Sequence, residues 1–243
     1  LPARIARGIV LARLANLIEG NAGATGSLVS AVAGLLDGRD LPAVPSQGNG
    51  GSGEILALAH LFGPLMDGME LGEKEGLALI NGSPCAAALV ADSALAARRL
   101  IDLASDVFAL SVETYRSPLE AYDEALEGLW GDAFETTALR ELRARLADDV
   151  ERRSHQGPVG YRILPRVLGQ AERVAATAAD AAGTSLRSVT DNPVYLPPSP
   201  GFEDGRVLST GGYHNAVAPA SLGQLALCWA ELGQLAERHV ERL

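Results

Sequence analysis

Ser46-Gln-Gly-Asn-Gly-Gly-Ser-Gly-Glu-Ile-Leu-Ala-Leu-Ala-His60 sets four glycines within the six residues from Gly48 to Gly53, then runs without pause into an apolar, helix-like segment. The reading of this stretch decides the fold. A glycine-rich turn after a strand points to a nucleotide-binding α/β fold, whereas the same turn between helices does not. The residues before it, from Pro42 onward, are a loop by composition, and no Gly-Lys-Ser/Thr ending follows. The phosphate-loop reading therefore fails. A flexible tether fits poorly too, because the glycines abut an uninterrupted amphipathic helix. Two readings remain: a helix entry chosen for tight backbone geometry, and a backbone placed to react with itself.

The second of these is a matter of elementary chemistry. If Ser52 sits in a strained turn, the amide nitrogen of Gly53 can bond to the carbonyl carbon of Gly51. Loss of that carbonyl oxygen and of the Ser52 hydroxyl, each as water, leaves a dehydroalanine-bearing imidazolone. Glycine is needed at the third position because a Cβ would obstruct the approach. The product is a strong electrophile, which no ordinary side chain is.

Outward from this stretch the periodicity is helical nearly everywhere. Helices are expected over 1–20, 27–36, 54–65, 84–112, 118–153, 163–185 and 214–243. Asn21-Ala-Gly23 reads as a helix end, Lys74–Asn81 closes on the turn pair Asn81-Gly82, and a loop surrounds Gln156-Gly-Pro158. The segment 191–212 carries four prolines and four glycines and reads as irregular or hairpin-like. There is no βαβ alternation and no detectable repeat.

Composition agrees with this. Of the 243 residues 47 % are hydrophobic and only 5 % aromatic, with Ala and Leu abundant, which favours helix packing over a sheet. The net charge of −10 argues against a nucleic-acid partner. Cys85 and Cys228 lie in apolar segments without CxxC spacing and read as buried thiols in a reducing cytoplasm. No apolar run of membrane-spanning length and no signal peptide is expected. Among His60, His155, His214 and His239 no pair has metal-ligand spacing, so no metal is expected. His60 and His214 read as packed or hydrogen-bonding residues.

Four motifs, in one order, resemble the aromatic amino-acid ammonia-lyases and 2,3-aminomutases. The first is SQGNGGSGEILALAHL itself, where that family shows Gly-x-x-Gly-Ala-Ser-Gly-Asp-Leu-x-Pro-Leu-Ala-His. Here the triad is Gly51-Ser52-Gly53 and the acid is Glu54. The second is Lys74-Glu-Gly-Leu-Ala-Leu-Ile-Asn-Gly82. The third pairs Thr190-Asp-Asn-Pro193 with Ser209-Thr-Gly-Gly-Tyr-His214. The fourth is Gln156-Gly-Pro-Val-Gly-Tyr-Arg162 with Pro165-Arg-Val-Leu-Gly169. Taken singly, Asn81-Gly82 and Thr190–Pro193 are turn signals and Arg162 is a surface charge.

The resemblance implies an all-α bundle of long helices of the fumarase/aspartase-like superfamily, with a loop-borne active site. Residues 1–243 would form a single helical domain, the central part of the family fold, without its N-terminal tyrosine loop and C-terminal helical region. It implies that Gly51, Ser52 and Gly53 form 4-methylidene-imidazol-5-one (MIO), with no metal, and that Asn81 helps to form and polarise it. Arg162 would pair with a substrate carboxylate, Gln156 and Asn192 would position the substrate, and Tyr213 would pack near the prosthetic group. Ammonia elimination to an α,β-unsaturated acid, or amine migration, is the implied reaction. The implied assembly is a homotetramer, or a hetero-oligomer whose other chain supplies the missing parts, in the cytoplasm and away from membranes. Val159 stands where the family has a tyrosine, Tyr161 is its nearest substitute as a catalytic hydroxyl, and Arg187 replaces an asparagine. A lyase-like subunit without ammonia-lyase chemistry, binding a ligand or running a different reaction, is the rival reading.

Overall fold

The computed structural model describes residues 1–38, 40–47, 53–147 and 149–243. These are mostly helical, with one two-stranded sheet among the described residues. They cluster into two compact units: Leu1–Asp92 with Asp180–Ala220, and Ser93–Ala179 with Ser221–Leu243.

In the first unit, α1 (Ala3–Ile18) and α2 (Gly26–Gly34) pack with α3 (Ile55–Met66) and α4 (Glu75–Ile80). Ile5, Ile9 and Leu17 of α1 share a core with Leu28, Val32, Leu58, Leu61, Phe62 and Leu79. Removing these side chains from water is the main stabilising term, about 1.5–3 kcal/mol for each large one. Thr25 caps α2 by accepting the Leu28 N–H at 3.3 Å. The Glu75 carboxylate at the start of α4 receives Thr25 N (2.7 Å), Thr25 Oγ1 (2.6 Å) and Gly72 N (2.8 Å), which fixes the two helix starts to one another.

The expected hairpin in 191–212 is present. Strands β1 (Val194–Leu196) and β2 (Arg206–Leu208) pair antiparallel in the register Val194↔Leu208. Asn21, just past α1, exchanges two hydrogen bonds with the Tyr195 backbone, at 2.8 and 2.9 Å, and so docks the hairpin. Gly205 permits the turn, since a Cβ there would lie 2.6 Å from the Leu196 carbonyl oxygen at φ +76°.

The helix expected at 84–112 is α5 (Pro84–Tyr115). One run, Glu75–Tyr115, is long and apolar enough to cross a membrane by length and composition, contrary to the sequence expectation. However, 61 % of its apolar window is buried in the protein, the condition of a core helix.

The second unit corrects the single helix expected over 118–153. That stretch forms a 3₁₀ turn (Glu120–Tyr122), α6 (Ala125–Trp130) and α7 (Ala133–Arg143), with irregular backbone beyond. Gly131 ends α6 in the left-handed conformation at φ +65°. Asp132 then starts α7, its carboxylate accepting Phe134 N at 2.9 Å and Glu135 N at 3.0 Å. Next come α8 (Val159–Arg162) and α9 (Leu164–Arg187), and α10 (Val217–Val240) ends the fold. Gly169 of α9 lies so close to α7 that a Cβ would sit 2.6 Å from the Glu135 Cα. Cys85 and Cys228 are free and buried.

Candidate functional site

Gly51 and Ser52 lie outside the described residues, and the flank that follows them is well defined. Gly53 has φ +93°, a backbone conformation side-chain-bearing residues rarely adopt. The next residue, Glu54, turns its carboxylate onto the start of α5, accepting Cys85 N at 2.5 Å and Ala86 N at 2.7 Å. These N–H groups have no partner inside the helix, and a carboxylate also suits the positive end of the helix dipole. Burial raises the Glu54 pKa, against the pull of the two N–H bonds. Burial, and then the neighbouring Glu54 charge, push the Cys85 thiol up, so it stays protonated.

Three residues before Pro84, Asn81 begins the turn that leads into α5. Its Nδ2 donates to the Asn192 carbonyl at 2.5 Å, and its Oδ1 accepts Gly82 N at 2.8 Å. Gly82, at φ +97°, cannot be larger: a Cβ would meet Arg13 Nη1 and Thr190 Oγ1, each at 2.9 Å. The Asn192 side chain is fixed as well, its Oδ1 accepting Thr210 N at 2.8 Å. The structure thus brings the second and third motifs together around Asn81 and Asn192.

Beneath them lies a buried polar group not singled out in the sequence. Arg13 and Asp191 have fully buried side chains, with Nη2 to Oδ2 at 3.0 Å. Arg13 Nη2 also donates to the Ala78 carbonyl. Lys74 Nζ is 3.3 Å from the same carboxylate oxygen and donates to Ala22 O at 2.6 Å. Asp191 Oδ1 accepts Asn192 N at 2.8 Å. Thr190 Oγ1 donates to Asn16 Oδ1 at 2.5 Å and accepts Ser83 N at 3.3 Å. A signal for Arg13 and Asn16 was legible: they fall on the apolar stripe of α1 defined by Ile5, Ile9 and Leu17, where a solvated charge does not belong.

Tyr213 is half-buried in the turn before α10. His60, on α3, and His214, just before α10, are exposed, so neither is packed, one of the two roles the sequence suggested for them.

The fourth motif belongs to the second unit. Gln156, Tyr161 and Arg162 line one open cleft of about 520 Å³ with Tyr115, Arg238 and Arg242. Arg162 is exposed, and its Nε donates to Gly157 O at 2.9 Å, which braces the loop it follows. Gly157 packs closely there, since a Cβ would lie 2.5 Å from Ser117 Oγ and would displace that hydroxyl. Tyr161 is only 1 % exposed. Its ring stacks on His239 at 3.9 Å, its hydroxyl meets Ser111 Oγ at 3.3 Å, and its carbonyl accepts the Tyr122 hydroxyl at 2.5 Å. Arg187, at the end of α9, is exposed.

The residues described around the first motif suit a ring closed from Gly51, Ser52 and Gly53. Gly53 has the left-handed backbone with nothing among the described residues within 4 Å of where a Cβ would be, and Glu54 fixes the end of the segment.

Known proteins bear on this arrangement. The family model described as "Aromatic amino acid lyase" matches residues 1–70 and 66–243. The histidine ammonia-lyase of Deinococcus radiodurans is 31 % identical over 274 aligned positions, covering 100 % of this chain and 51 % of the relative. That of Symbiobacterium thermophilum is 30 % identical, covering 100 % and 53 %. The crystal structure of histidine ammonia-lyase from Trypanosoma cruzi superposes with a TM-score of 0.85 at 26 % identity, over 99 % of this chain and 50 % of that one. Phenylalanine aminomutase of Pantoea agglomerans shares the fold, with a TM-score of 0.81 at 19 % identity over 98 % and 54 %. The chain spans about half the length of the curated relatives it matches. The family match falls into two stretches that meet at 66–70, the connection from α3 to α4. The 274 aligned positions also exceed the 243 residues, so the Deinococcus relative carries positions that this chain does not.

Proposed function

This chain belongs to the aromatic amino acid lyase family, and from that premise we infer that it acts as an ammonia-lyase or 2,3-aminomutase on an amino acid with an aromatic or imidazole side chain. The observation that carries this reading is the anchoring of Gly53 and Glu54, the residues that follow Ser52. Gly53 is left-handed, and Glu54 bonds to the start of α5, just after the Asn81–Gly82 turn. A methylidene-imidazolone closed from Gly51, Ser52 and Gly53 supplies an electrophile for the substrate, which ordinary side chains lack.

The chain's own groups then have defined tasks. Glu54 holds the backbone that follows the ring to the start of α5, which the Gly82 turn leads into. Asn81 presents a carboxamide whose orientation Asn192 fixes. Arg162 offers a planar two-pronged donor to a carboxylate, in a cleft that Arg238 and Arg242 make more positive. Gln156 adds a neutral polar contact in the same cleft, and Tyr213 a half-buried aromatic surface in the first unit. Tyr161 serves to hold the 156–162 loop in place through its ring and its carbonyl oxygen.

Assembly follows from α5. Leu100, Leu103, Val107 and Leu110 are exposed at alternating spacings of three and four, the pattern of a helix seam. A second copy of the chain is the occupant this reading gives it, within a homotetramer or a mixed oligomer.

One observation favours the rival, a lyase-like subunit without ammonia-lyase chemistry. In the 156–162 loop Val159, at the position of the family's tyrosine, is exposed, while Tyr161 is enclosed, so that loop offers no open phenol as a base. Ultraviolet screening of histidine, phenylalanine and tyrosine for unsaturated-acid products decides between them. Product from the wild-type chain and none from Ser52→Ala supports the lyase; no product from correctly assembled wild-type protein supports the rival.

A further inference from the structure

Asp191 belongs to the third motif while its partner Arg13 lies outside all four, and the cost of burying the pair demands a reason. A buried ion pair can often be replaced by apolar side chains without loss of stability, so stability alone does not account for it. Here two cations, Arg13 and Lys74, share one carboxylate. Arg13 Nε and Nη1 find no hydrogen-bond acceptor among the described residues, and Nη1 lies against the backbone of Gly82. The guanidinium is therefore packed under the turn that carries Asn81.

The connections run in one direction through the molecule. Arg13 holds Asp191, Asp191 holds the Asn192 N–H, and the Asn192 carbonyl holds Asn81. Thr190, next to Asp191, receives the Ser83 N–H. Ser83 precedes α5, whose first N–H groups hold Glu54, the residue after Gly53. Every link is a hydrogen bond or a peptide bond. Placement errors of about 1 Å in a reacting group can cost on the order of a hundredfold in rate. A buried chain of this kind is suited to prevent them.

We propose that Arg13 and Asp191 are positioning residues for ring closure: they fix the Asn81–Gly82 turn and the start of α5, and through Glu54 the Gly53 amide that closes the ring. The proposal rests on the ring-forming reading given above. The bond formed is Gly53 N to Gly51 C; the Gly51 oxygen and the Ser52 hydroxyl leave as two waters, and no oxidant is required. Arg13 and Asp191 act through Asn81, Ser83 and Glu54.

The test follows maturation by intact mass over time after synthesis of the full chain, with thermal unfolding and amide exchange at 81–83 and 190–192 measured in parallel. The main variant is Arg13→Met with Asp191→Asn, which removes both members of the fully buried pair together and leaves the partly exposed Lys74 its bond to the Ala22 carbonyl. Arg13→Lys keeps a cation without the fork, and Arg4→Ala, in the exposed Arg4–Asp92 pair, is the control. The expected result is complete loss of two waters in wild type and Arg4→Ala. The folded double variant should mature about tenfold or more slowly, with faster exchange at the turn, and Arg13→Lys should fall between. A folded double variant maturing at the wild-type rate overturns the proposal. Wild-type protein that never loses water overturns the parent reading and this one with it. If the double variant does not fold, Thr190→Val, which changes no charge and little shape, carries the test: slowed maturation supports the proposal and an unchanged rate overturns it.

Discussion

Gly82 and His239 show how much single side chains decide here. At Gly82 the left-handed backbone and the two 2.9 Å approaches leave no room for a methyl group. Gly82→Ala is expected to cost about 1–3 kcal/mol and to lower the unfolding midpoint in denaturant, because it strains the backbone and pushes against Arg13 and Thr190 together. At His239 burial holds the imidazole pKa below its ordinary value, while the Gly160 backbone works in the opposite direction. The ring stacks on Tyr161, meets Phe108 edge-on and has Ser111 Oγ 2.8 Å from Nδ1. The unfolded chain therefore takes up the proton more readily, near pH 6.5. The stability that His239 contributes is complete above that pH and is lost as the pH falls below it, toward the lower folded pKa. Melting temperatures from pH 8 to 5 should show this decline, and His239→Gln should flatten it. At this scale motif resemblance singled out Asn81 and Arg162, while Arg13 was passed over although a charge on an apolar stripe is a signal for it. The burial of Tyr161 was not legible, because it depends on α5 and α10, far away in sequence.

Helices and their ends were read well where capping signals agreed with composition, and poorly where they did not. The Pro84 start, the Asn81-Gly82 turn and the glycine and proline cluster at 191–212 all announced themselves, and the hairpin followed. Between Pro118 and Arg153 the Leu, Glu and Arg content kept the helical period going, and this masked the stop at Gly131. A single left-handed residue, followed by a capping aspartate, outweighed the propensity of its neighbours. Asp132 does double duty there, since it also pairs with Arg173 of α9. Asp132→Ala is expected to destabilise the protein by about 1–2 kcal/mol in chemical denaturation. Asp132→Asn, which keeps the cap but loses the charge, should recover most of that.

For the molecule as a whole, the sequence carried the family more securely than the assembly. Helical class and motif order are local properties, so they could be read from one chain. Which surfaces meet a partner depends on apolar residues that look like core in the sequence and stand exposed in the isolated fold. The α5 stripe is of that kind. Leu103→Glu with Leu110→Glu is expected to shift the sedimentation profile to a smaller species while each chain keeps its helical circular dichroism; an unchanged profile would place the interface elsewhere. The relatives' additional length bears on the proposed chemistry in the same way, because on the lyase reading a base absent from the 156–162 loop would come from outside that loop. All of this depends on whether the glycine loop closes its ring. Intact mass of the purified wild-type chain beside Ser52→Ala tests that most directly. The account predicts a wild-type mass lower than the encoded chain by two waters and an unmodified Ser52→Ala variant. Folded wild-type protein at its full encoded mass would contradict it.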